Sequence, residues 1–164
     1  MNILVLGVGN LLLSDESIGV HVIRELEQEY IFPEGVEVVD GGTAGMELLD
    51  YIAGREHMII IDAVLTGDEP GTVVILKDDE VPALFNNKVS PHQLGLSDLL
   101  GALKLTEESP QNIFLVGIIP ESVEPGLEMT ETVSRTIPTV KNQVINHLQS
   151  IGVELTKREP TACV

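Results

Sequence analysis

Five near-continuous apolar runs of strand length, at residues 3–6, 36–39, 58–61, 73–76 and 113–117, restrict what this chain can become more than any other feature. A strand with one wet face alternates apolar and polar residues; these runs do not alternate, so each predicts a strand covered on both sides. Between them, Ile18, Val22, Ile23, Leu26 and Tyr30 follow helical spacing, as do Leu96, Leu99, Leu100 and Leu103. A third stripe, Val133, Ile137, Val140, Val144, Leu148 and Ile151, predicts one long helix bent at Pro138 and stopped at Gly152. Strand alternating with helix gives a three-layer α/β/α sandwich around a mostly parallel sheet. One connection breaks the pattern. Residues 63–71 contain Gly67, Pro70 and Gly71 and fall short of the roughly dozen residues a parallel crossover needs, so the fourth strand is predicted antiparallel.

The length of 164 residues suits one domain, read as residues 1–155, followed by a flexible polar tail at 156–164. Twenty-six Asp and Glu against nine Lys and Arg leave a formal charge of −17, which repels nucleic acid and anionic membrane surfaces. Cys163 is the only cysteine, so an internal disulfide and a zinc or redox cysteine pair are both excluded. The apolar opening has no basic leader and is broken by Gly7, Gly9 and Asn10; it reads as a strand entering a loop and not as a signal peptide. No later segment has the length to cross a bilayer. A cytoplasmic monomer is the expectation.

Functional groups of parallel sheets collect at the carboxyl ends of the strands. There the first run leads into Gly7-Val8-Gly9-Asn10 and then Ser14-Asp15-Glu16, the second into Asp40-Gly41-Gly42-Thr43, and the third into Asp62. His92 follows Ser90-Pro91 in the loop before the Leu96 helix. Carboxylates and an imidazole on one edge suit a borderline divalent metal such as nickel or zinc, and equally a general acid–base site. Plainer roles exist for most of them. Asp15 and Glu16 fall where a helix takes a cap and early acids, Asp40 before two glycines can brace a turn, and a solitary histidine often bonds a backbone carbonyl. Asp62 has no such local partner. The glycines after the first strand, with Asp40 ending the next, are partly a dinucleotide fingerprint, but Leu12 occupies the third glycine position and two acids lie where pyrophosphate would sit. Neither a G-x-S-x-G elbow, H-E-x-x-H nor a Walker loop occurs.

The ordered set Gly7-Val8-Gly9-Asn10, Asp15-Glu16-x-x-Gly19, Asp40-Gly41-Gly42-Thr43, Asp62-Ala63 and Ser90-Pro91-His92-Gln93 resembles the hydrogenase maturation endopeptidases, especially the branch serving membrane-bound uptake hydrogenases. The likeness runs from about Met1 to Glu124, with Ser17 where many relatives carry Gly or Ala. The resemblance implies a sheet of order 2-1-3-5-4 with strand 4 antiparallel. It implies an endopeptidase, of aspartyl type, that removes a C-terminal extension from the large-subunit precursor of a nickel–iron hydrogenase after nickel insertion. Glu16, Asp62 and His92 correspond to nickel-contacting residues of that family, the nickel being carried by the precursor, and Asp40 to an acid of substrate recognition or catalysis. Alternatives are a nickel-sensing chaperone that inspects the precursor without cutting it and a nucleotide-binding α/β enzyme.

Overall fold

The computed structural model describes residues 2–43, 46–86 and 91–158, with only the backbone path given for 46, 84–86 and 91–97. Strands β1 (Ile3–Val8), β2 (Tyr30–Ile31), β3 (Val36–Gly42), β4 (His57–Ala63), β5 (Val73–Lys77), β6 (Asn112–Ile118) and β7 (Thr156–Lys157) are joined by helices α1 (Ile18–Glu29), α2 (Leu49–Ile52), α3 (Glu80–Asn86), α4 (Pro91–Leu105), α5 (Glu131–Ser134) and α6 (Ile137–Ser150). The main sheet has five strands in the order β3-β1-β4-β6-β5. Setting aside the two-residue strands β2 and β7, this is the expected order 2-1-3-5-4. Strand β5 alone runs antiparallel, paired with β6, because its short link from β4 cannot carry the chain back across a face of the sheet.

Both faces of the sheet are covered. Ile3, Val5, Ile59, Ile61, Val116 and Ile118 pack with the apolar stripes of α1 and α6. The alternate residues Leu4, Leu6, Met58, Ile60 and Leu115 pack with Leu99, Leu100 and Leu103 of α4 and with Ile52 of α2. The period-two alternation therefore sorts one unbroken apolar run into two cores.

The single bent helix expected at 133–151 is instead two helices. Pro138 has no N–H to give to Ser134 and its ring crowds that carbonyl, so α5 stops at Ser134 and α6 begins at Ile137, with Pro138 in its first turn. Thr136 closes the gap through its backbone N–H and hydroxyl, both donating to the Val133 carbonyl. Gly152, at φ +95°, stops α6 as expected: Val153 N–H reaches Leu148 O at 2.9 Å and Gly152 N–H reaches Gln149 O at 3.1 Å, the paired bonds of a Schellman motif. The segment read as a tail from residue 156 begins inside the domain. Thr156–Lys157 pair with Tyr30–Ile31, and Arg158 donates to the carbonyls of Glu29 and Glu27; residues 159–164, Cys163 among them, lie outside the described residues.

Candidate active site

The carboxyl edge of the sheet is assembled around glycines that let backbones approach. A Cβ on Gly19 would sit 2.2 Å from the carbonyl oxygen of Ile61 and 2.4 Å from that of Val8, and one on Gly7 would sit 2.3 Å from the carbonyl oxygen of Gly19. Helix α1 thus rests directly on β1 and β4, a distance no larger residue permits. Gly9, at φ +144°, comes equally close to the Glu16 carbonyl, 1.8 Å from a built Cβ. These contacts press the 3-10 turn Ser14–Ser17 onto the end of β4, the strand that carries Asp62.

Both acids of that junction are buried, Asp62 completely and Glu16 to 9% exposure. In β4, Ile59 and Ile61 belong to the α1–α6 core whereas Met58 and Ile60 belong to the α4 core. Asp62 continues the latter phase, so the pleat directs it to the face that carries α4. His92 lies in the first turn of α4, not in a preceding loop: Pro91 brings a φ already suited to the first helical position and lacks an N–H that would be orphaned there. The His92 imidazole is outside the described residues. Helix α4 ends at the opposite edge, where Glu108 N–H donates to Leu103 O and Gly54 N–H to Glu108 O, so its first turn, with His92, lies towards the carboxyl edge that holds Glu16 and Asp62. Among the described residues no three His, Cys, Asp or Glu side chains group as a metal cage.

Asp40 is placed differently. It pairs in register with Gly7, which pairs with Ile61, putting Asp40 two strands, about 10 Å, from β4. It shares the phase of Gly7 and Ile61, the face of α1 and not that of Asp62. Its Oδ1 accepts from Gly42 N–H at 3.1 Å, closing the turn at Gly42 (φ +49°), and its Oδ2 accepts from Arg24 of α1 at 3.3 Å. The turn-bracing role is thus realised, and Arg24 is a neighbour that sequence pattern gave no reason to choose.

Asp15 also has a role that differs from the helix cap expected of it. Neither the 3-10 turn nor α1 has a side-chain cap bond. The fully buried Asp15 carboxylate instead accepts from Glu121 N–H and Ser122 N–H, both at 2.9 Å, from Thr130 N–H at 2.7 Å, and from the Thr130 hydroxyl. It ties the segment after β6 to the residue beside Glu16. The only hint in sequence is Thr130, whose hydroxyl also caps α5 at Val133 N–H.

Fold and site together define an α/β protein with two buried acids, Glu16 and Asp62, at the carboxyl edge of its sheet. The hydrogenase maturation protease family model, HycI, matches residues 20–147. The chain is 56% identical over 160 residues to the hydrogenase 2 maturation protease of Escherichia coli K12, covering 97% of this chain and 98% of that one. It is 37% identical to the hydrogenase expression/formation protein HoxM of Azotobacter vinelandii, over 98% of this chain and 79% of the relative. Among solved structures, the hydrogenase maturating endopeptidase HybD from E. coli superposes with a TM-score of 0.94 at 56% identity, over 96% and 98% of the two chains. The [NiFe] hydrogenase maturation protease HybD of Thermococcus kodakarensis gives 0.73 at 25% identity, over 90% and 99%. The chain belongs to the hydrogenase maturation protease family, and it is accordingly a hydrolase, a peptidase of hydrogenase maturation. No helix among the described residues is long and apolar enough to cross a membrane.

Proposed function

We propose that this peptidase removes a C-terminal extension from the large-subunit precursor of a nickel–iron hydrogenase in the cytoplasm, once nickel has been inserted, and that the nickel carried by that substrate is what Glu16, Asp62 and His92 engage. The observation that carries this reading is the burial of two carboxylates, Glu16 and Asp62, on a 3-10 turn and a strand end that pack together, with His92 in the first turn of α4. Oxygen donors with one imidazole suit a borderline divalent ion, and a site completed only by the metal-bearing substrate makes cleavage depend on prior loading. Hydrolysis consumes one water and leaves a new carboxylate on the large subunit and a free amine on the released peptide. Asp40, held by Gly42 and Arg24, is assigned to positioning the substrate chain beside that edge; as an anion it is also a candidate base.

The deciding experiment incubates purified precursor, nickel-loaded or nickel-free, with the protein as a monomer and follows intact mass. Loss of a C-terminal fragment from the loaded form alone is expected, and Asp62→Ala and His92→Ala are expected to slow it by about 100-fold or more. Equal cleavage of both forms would remove nickel from the recognition step. A stable complex with intact precursor would replace cleavage by inspection.

A further inference from the structure

The segment after β6, residues 121–128, is an exposed lip beside the acidic edge, and its composition is unusual for a loop. Val123 and Leu127 are 49% and 74% exposed, and Leu12, from the loop after β1, is 62% exposed. The two loops are joined: Gly126 N–H donates to Leu12 O at 2.9 Å, Ser14 N–H to Gly126 O at 3.0 Å, and Leu13 bridges Gly126. Leu12 and Leu127 therefore flank one bridge. Interleaved with these apolar side chains are Glu121, Glu124 and Glu128, all exposed, and none forms an ion pair with a described residue. The lip is fixed in place by the buried Asp15 carboxylate and by the Ser14 hydroxyl, which donates to Glu124 O at 2.6 Å.

We propose that this lip is the docking surface for the stretch of substrate chain next to the cleaved bond, and that the stretch it takes carries apolar side chains among Lys or Arg. Two features select that occupant. Exposed Leu12 and Leu127 beside one bridge, with exposed Val123 on the same segment, call for an apolar partner, while three carboxylates on that segment, in a chain of charge −17, favour cations and repel acidic segments. The second feature is continuity: Asp15, which holds the lip, directly precedes Glu16, so a chain seated on Leu12 and Leu127 enters the edge where Glu16 and Asp62 lie. The inference rests on the peptidase reading above and adds to it the surface and the substrate chemistry.

The test uses full-length protein and full-length nickel-loaded precursor, with both Kd and cleavage measured. Leu12→Ser/Leu127→Ser and, separately, Glu121→Gln/Glu124→Gln/Glu128→Gln are each expected to raise Kd and KM about tenfold with kcat within about twofold. All five positions are exposed, so circular dichroism and thermal midpoint should match the wild type. Raising NaCl should weaken wild-type binding and leave the glutamine variant nearly unaffected. Leu105→Ser, an 88% exposed leucine at the far end of α4, should change nothing. Unchanged Kd in both multiple variants overturns the lip even if the wild type cleaves normally. Binding without cleavage, lost in the variants, supports the lip while rejecting the peptidase reading. A wild type that neither binds nor cleaves the precursor overturns both.

Discussion

At the scale of single residues, the separation of Asp15 from Glu16 is instructive. They are adjacent acids in one 3-10 turn, yet one has its carboxylate saturated by donors from the 121–130 segment and the other lies against the end of β4. A buried carboxylate that accepts several N–H bonds is costly to delete because its donors are left without partners. Asp15→Ala is therefore expected to cost about 3 kcal/mol, read as a lower urea midpoint, with Asp15→Asn intermediate because one oxygen still accepts. A loss within about 0.5 kcal/mol would mean that the segment is held by other bonds. Apart from Thr130, nothing in sequence could reveal this, since the partners of Asp15 stand 106 to 115 positions away. Asp40 was legible as a turn brace because its partner, Gly42, is two residues on. Asp62 was legible because a carboxylate ending a run of isoleucines has no local use.

At the scale of elements, strands were read well and helix ends less so. The apolar runs located all five main strands, each observed strand extending its run by one to three residues. Periodicity carried the stripe from Val133 to Ile151 through Pro138 in correct phase, but phase records which side is buried and not whether the helix is continuous. The missing proline donor decides continuity, and it splits the element. Helix α6 is clamped against β6 by His147, whose ring stacks on Phe114 at 3.7 Å between centroids and 8° between planes. Burial, then His57 and Lys77 nearby, push the His147 pKa below its ordinary value. Its contribution is intact above about pH 6.5, where folded and unfolded chains are both neutral. As pH falls below that value the unfolded chain takes the proton first, so stability declines until the folded pKa is passed. His147→Phe keeps the stacked ring and removes the proton site. The fall in urea midpoint from about pH 7.5 to 5.5 should be smaller in this variant than in the wild type; equal slopes would assign the acid sensitivity elsewhere.

At the scale of the whole molecule, the architecture followed from a single short link. Nine residues between β4 and β5, 64–72, force an antiparallel strand, and that strand distinguishes this sheet from an all-parallel one. The placement of Glu16 and Asp62 at one edge is likewise a property of topology, because the parallel strands β1 and β4 end on the same side; α4 does not follow from that rule, since the strand before it in the chain, β5, is antiparallel. What no local pattern contains is the charge −17 acting on the molecule as a unit. Repulsion among like charges opposes the compact state, and it is weakened when the screening length shrinks from about 20 Å in 20 mM salt to about 6 Å in 300 mM. The melting midpoint of the free protein should therefore rise with NaCl, by a few degrees over that range. Docking on the lip responds with the opposite sign, since the attraction between its glutamates and a basic segment is screened by the same ions. Salt should stabilise the enzyme while weakening its hold on the substrate, and the variant with Gln at 121, 124 and 128 should show both effects reduced. A midpoint that falls with salt would indicate that local ion pairs, such as those of Lys141 with Glu25 and Glu29, outweigh the net charge.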